Sequence, residues 1–244
     1  MKAHIMTPSR LALLVLLAAV GFALSPLLSS GFSGFTPDQF PVPQNDPPVQ
    51  PAGYAFAIWG AIYLWLIIGA AYGFWQAADD PDWQAMRGPL ALSLLIGCFW
   101  IAAANASPLL ATVMIVLMAA GAICALLLAG REAPWLQARP DALYAGWLTA
   151  ATGVAVGVLL AGYGLLAAQT AALVCLIAVL LVALAIQSFR PDEWAYPLAV
   201  SWALVGVIVA NLSSENWPVI ALAAFGILAL SLRAGISIMN EAKQ

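Results

Sequence analysis

Charge is what this chain has least of. Only 8% of its 244 residues are Asp, Glu, Lys or Arg, against about 25% in an ordinary soluble domain, so a water-facing exterior cannot be built from them. Lysine occurs only at Lys2 and Lys243, which leaves no helix-borne lysine for a buried Schiff base. Histidine occurs once, at His4, where it reads as a solvated tail residue. No HExxH, GxSxG or glycine-rich phosphate loop is present, so hydrolytic and nucleotide-driven chemistry have no residues to carry them. Cys98, Cys124 and Cys175 fall inside apolar runs without CxxC spacing and read as packing residues, not as metal ligands or a disulfide framework. A net charge of −3 with no basic run excludes nucleic acid as a partner. The expectation is a protein that is not an enzyme, with no cofactor and no metal.

What is present is apolar surface: 64% of the residues are hydrophobic, arranged in runs long enough to cross a bilayer at ~20 residues each. Eight spans are predicted, at about 11–30, 53–77, 88–106, 108–130, 141–163, 166–189, 195–212 and 217–238. The breaks between them carry Pro, Asn, Asp or Gly. Arg139-Pro140-Asp141 and Arg190-Pro191-Asp192 put a proline and an acid where a first turn tolerates both, and read as helix starts.

The basic residues give an orientation. Lys2 and Arg10 precede the first span, Arg87 follows the second, Arg131 and Arg139 lie between the fourth and fifth, Arg190 after the sixth, and Arg233 and Lys243 at the end. Loops 31–52, 104–108, 163–167 and 213–217 hold none. Cytoplasmic loops retain Lys and Arg, so an even helix count with both termini cytoplasmic, in a bacterial inner membrane, is expected. The start "MKAHIMTPSRLALLVLLAAVGFALS" is open to a signal-peptide reading; the apolar run continuing to Leu28 favours a retained helix. The acids Asp79, Asp80, Asp82, Glu132, Asp141, Asp192, Glu193 and Glu241 are expected in loops or helix ends on the basic side, and Asp38, Asp46 and Glu215 on the other. That leaves no carboxylate at midplane to drive a proton antiporter.

The second span, "PAGYAFAIWGAIYLWLIIGAAYGFW", is crowded with aromatic residues, more than interfacial anchoring requires. Phe56, Trp59 and Tyr63 recur at i, i+3 and i+7 and share one helical face, while Trp65 and Tyr72 take another. In the fifth span Tyr144, Trp147 and Ala151 share a face, and Ala145, Thr149, Gly153, Gly157 and Ala161 form a row of small residues that lets a neighbouring backbone approach. Trp75, Trp83, Trp135, Trp194 and Trp217 read as interfacial anchors; Trp59, Trp65, Trp100, Trp147 and Trp202 lie deeper, where packing and ligand contact are both open.

Three segments carry a family resemblance. "YAFAIWGAIY" at 54–63, Trp100 in "GCFWIAAAN" and "LYAGWLTAATG" at 143–153 resemble the second-, third- and fifth-helix signatures of the TspO/MBR tryptophan-rich sensory proteins, relatives of the mitochondrial translocator protein. The Pro-rich loop "FTPDQFPVPQNDPPVQP" is similarly placed between the first two helices. The likeness covers about residues 10–165. It departs from the family pattern at Gly97, where an Asn usually precedes the tryptophan by three, and in a first loop without clustered tryptophan. The sequence also continues for three more spans, where "WAYPLAVSWALVG" at 194–206 echoes helix two.

The resemblance implies an all-α polytopic transmembrane helix bundle of about eight helices: a five-helix unit at 1–165 and three more helices at 166–244. It also implies a pocket for porphyrin or sterol-like ligands, for binding, sensing or transport, walled by Tyr54, Phe56, Trp59, Tyr63, Trp100, Tyr144, Trp147 and Ala151. The partners expected are that ligand, the lipid bilayer and, through the small-residue row, a second copy in a homodimer. A small-solute or lipid-like transporter of unrelated helix-bundle type is the alternative.

Overall fold

The computed structural model describes residues 7–29, 32 and 34–241; Lys2, His4 and Lys243 lie outside the described residues. Among these, the secondary structure is helical: α1 (Pro8–Leu24), α2 (Ile58–Trp75), α3 (Pro81–Ala106), α4 (Pro108–Leu128), α5 (Ala138–Gly162), α6 (Ala168–Phe189), α7 (Ala195–Leu212) and α8 (Trp217–Glu241), with short 3-10 turns in the first loop and at Gly53–Ala57. All eight long helices are long and apolar enough to cross a membrane. The chain is a multi-pass membrane protein.

Two helix starts differ from expectation. α3 begins seven residues before 88, because the Asp80 carboxylate accepts from the Asp82 amide at 2.9 Å and Pro81 opens the first turn. Pro89 sits inside that helix, where it leaves the Ala85 carbonyl without its usual donor. Arg190-Pro191-Asp192 forms a turn; Arg190 ends α6, and α7 starts only at Ala195. Arg139-Pro140-Asp141 does open α5.

The helices form two rings that share α5. α1 packs on α2 and α3, α3 on α4, α4 on α5, and α5 closes the first ring on α2. α5, α6, α8 and α7 close the second. This position explains why 67% of the α5 span is buried, against 22% in α2 and α8. The row of small residues on α5 makes the sharing possible. Val179 of α6 lies directly over Gly153, Cys175 borders Gly157, and the Thr149 hydroxyl lies 2.9 Å from that of Tyr196 on α7. A larger residue at 153 would collide with α6 of the same chain.

Two arginines tie the basic end together. Arg87, expected in a loop, lies within α3 and is buried; it donates to the carbonyls of Gly73, Ala77 and Ala78 at 2.6–2.8 Å. Arg190 donates to Leu126 and Ala129 at 2.9 and 2.7 Å. Each places a cation on the carbonyls that end a helix, α2 in one case and α4 in the other, where the dipole favours it.

Candidate ligand site in the first helix ring

Local geometry brings the aromatic faces of α2 and α5 together at the first-loop end. Trp147 is buried and meets Phe56 edge-on (centroids 5.9 Å apart, 82°) and Trp59 likewise (6.0 Å, 83°). Trp59 stacks on Tyr63 at 5.3 Å and 17°. Phe56, Trp59, Trp100, Trp147 and Ala151 line one cavity of about 50 Å³, joined by Ala203 of α7 and roofed by Phe32, Phe35, Gln50 and Pro51 of the first loop.

The other expected wall residues stand elsewhere. Tyr63 and Tyr144 pack behind the cavity around Phe22, whose ring lies 5.1 Å and 5.8 Å from theirs. The buried Tyr144 hydroxyl lies 2.9 Å from Ser93, whose own hydroxyl donates to the Met118 carbonyl. Tyr54 is exposed and meets Trp202 edge-on at 5.7 Å, outside the cavity. It lies two residues before Phe56 in the same 3-10 turn ahead of α2, a spacing that turns the two side chains to different faces.

The polar groups are unevenly used. Trp100 donates its indole N–H to the Ala111 carbonyl at 2.9 Å, and Trp202 to Ala55 at 2.8 Å. Trp147 Nε1 is buried and has no hydrogen-bond partner among the described residues.

A family model described as TSPO-like protein matches residues 12–236. The chain belongs to the TSPO-like protein family. The match runs beyond the 10–165 stretch that carries the resemblance and takes in helices six to eight. Comparison with curated proteins gives no match, and neither does comparison with solved structures.

Two features of this TSPO-like protein were not legible in its sequence. Phe22 fills the space beside Gly97: a Cβ at 97 would lie 2.8 Å from its ring. The side chain that an Asn would have placed there is replaced by an aromatic ring from α1. In the first loop, phenylalanines take the place of the missing tryptophans, with Phe32 edge-on to Trp100 at 4.9 Å and Phe35 against Phe32 at 5.3 Å. Among the anchor tryptophans, Trp75, Trp135 and Trp217 are exposed as expected, while Trp83 is buried against Gly73 and Tyr72. Trp65 donates to the Trp135 carbonyl at 2.8 Å and packs against Trp135 and Trp194, whose rings lie 4.2 and 5.7 Å from the Arg139 guanidinium.

Proposed function

We propose that this protein binds a flat apolar ring system of the porphyrin or sterol-like class in the aromatic cavity, and serves its sensing or transport without catalysing a reaction on it. The observation that carries this reading is Trp147: a buried indole flanked edge-on by two aromatic rings, with its N–H unpaired in a cavity wall. A cavity of about 50 Å³ has room for at most about two waters, and is far below the ~300 Å³ at which ligand pockets begin. Entry of a ring system therefore requires the Phe32 and Phe35 roof to lift.

The test is a titration of the purified protein with protoporphyrin, followed by tryptophan fluorescence quenching. Trp147→Ala removes an aromatic contact of about 0.5–1.5 kcal/mol together with buried apolar area at ~25 cal/mol per Å². It is expected to weaken binding by roughly tenfold or more. Trp75→Ala, on an exposed ring, leaves the affinity nearly unchanged. Equal losses in the two variants, or none in either, overturn the reading.

We also propose a bacterial inner-membrane setting with both termini cytoplasmic. Arg10, Arg87, Arg131, Arg139, Arg190 and Arg233 belong to the same end of the bundle, where Ser9 meets Asp79, Arg131 meets Asp192 and Arg233 meets Ser188. A C-terminal fusion to a phosphatase active only in the periplasm is expected to be silent. Strong activity overturns the orientation.

A further inference from the structure

A second cavity, of about 30 Å³, lies in the same ring at the basic end, between α1, α2, α3 and the start of α5. Its polar lining comes from Trp83, Arg87, Gln137 and Asp141. Asp141 is fully buried, and neither carboxylate oxygen has a hydrogen-bond partner among the described residues. Gln137, one turn earlier and 2% exposed, donates Nε2 to the Asp82 carbonyl at 3.0 Å. That bond fixes the amide, so the atom left without a partner is the acceptor Oε1. The Leu136 carbonyl adds a third group. Its helical donor would be Pro140, which has no N–H, and the carbonyl lies against Gly69, where a Cβ would collide with it. Asp141, Gln137 and Leu136 thus border one cavity, and the side-chain oxygens of the first two have no hydrogen-bond partner among the described residues.

Two of the nearby cations, Arg87 and Arg190, are engaged elsewhere. Arg87, which also lines this cavity, spends its guanidinium on the carbonyls of Gly73, Ala77 and Ala78, with Asp79 and Asp80 as its charged neighbours. Arg190, the cation whose charge reaches Asp141, lies 3.4 Å from Glu193 and 3.9 Å from Asp192. Arg139 lies over the ring of Trp135 at 4.2 Å and has Glu193 as its charged neighbour, with its Nε and Nη1 buried and without a hydrogen-bond partner among the described residues. Asp141 joins no ion pair among the described residues. A buried carboxylate with no donor, and with its nearest counter-charge, Arg190, paired to other acids, is unfavourable, and native structures answer it with a proton, a water or an ion.

Hard oxygen acceptors around a single negative charge suit a small alkali cation. A divalent ion calls for more acid than this site has, and no group of three or more His, Cys, Asp or Glu side chains able to hold a metal occurs among the described residues. The volume of about 30 Å³ holds about one water-sized occupant, the ion itself. We propose that Asp141, Gln137 and the Leu136 carbonyl form a binding site for a monovalent alkali cation, with sodium as the probe. The site is independent of the aromatic cavity and of what binds there.

The experiment measures the thermal stability of the purified full chain at fixed pH and ionic strength while sodium chloride replaces choline chloride. At a hundredfold excess over its dissociation constant, sodium is expected to raise Tm by roughly 5–10 °C. The rise disappears in Asp141→Asn and shifts to at least tenfold higher sodium in Gln137→Ala, while Trp147→Ala retains it. No response to sodium or potassium in the parent protein overturns the site, as does a Tm that follows pH alone, which assigns the acid to a proton. An equal rise in Asp141→Asn also overturns it, as a general salt effect. Should Asp141→Asn fail to fold, radioactive sodium binding to the parent chain decides: saturable binding, displaced by lithium but not choline and weakened at least tenfold in Gln137→Ala, supports the site, and non-saturable binding overturns it.

Discussion

Arg190→Met is expected to lower stability by about 3–5 kcal/mol, the cost of breaking a buried ion pair from one side. Arg190 and Glu193 are both buried, 3.4 Å apart. Methionine keeps much of the volume but strands the Glu193 carboxylate and removes the donors to the Leu126 and Ala129 carbonyls that end α4. Burial raises the Glu193 carboxyl above the usual range even against the pull of Arg190. The folded state then holds this proton more tightly than the unfolded chain does. That contribution to stability is fully present below the unfolded value, near 4.3 for a glutamate, and is lost as pH rises through the folded one. Removing Arg190 pushes the carboxyl further up. The deficit of Arg190→Met is therefore largest at neutral pH and narrows on acidification. Denaturant titrations of parent and variant at two pH values check this. The double variant Arg190→Met with Glu193→Leu should regain most of the loss, because an apolar pair in place of a buried ion pair is often neutral.

The helices were legible because the bilayer imposes one rule on every span: enough apolar residues to cross it, with the backbone paired internally. Their exact starts were less so. Hydropathy opens the third span at about 88, yet the cap that starts α3 is Asp80 with Pro81. Periodicity placed Phe56 and Trp59 on a common face of one helix; both line the cavity with Trp147, but Phe56 does so from the 3-10 turn that precedes α2. It could not set depth, and so did not separate the rings that line the cavity from Tyr63 and Tyr144 behind it. The burial of Asp141 was hidden for a different reason. An acid in a first turn ordinarily faces water, and here the turn lies where two rings of helices share α5, a property of tertiary packing that no local pattern records.

Phe22→Ala is expected to shift stability and affinity in opposite directions. The Phe22 ring is 1% exposed and meets Trp59, Tyr63 and Tyr144 at 5.5, 5.1 and 5.8 Å. Its far side presses on Gly97. Truncation leaves a void between helices already in contact, so the surroundings cannot collapse into it, and the cost is about 3–5 kcal/mol. In a chain of this size that is a fall in Tm of roughly 6–20 °C. The void opens beside Trp59, a wall of the aromatic cavity, and gives a ring-shaped ligand apolar space that the parent chain fills with its own side chain. Protoporphyrin affinity should accordingly rise, where Trp147→Ala lowers it. A loss of affinity as large as that of Trp147→Ala would make Phe22 part of the ligand wall instead of a plug. Position 97 supplies the internal control. Gly97→Asn alone is expected to be disruptive, since its Cβ would lie 2.8 Å from the Phe22 ring. In the Phe22→Ala background the same asparagine occupies vacated space, recovers part of the lost stability, and sets an amide beside the aromatic rings where the parent chain has none.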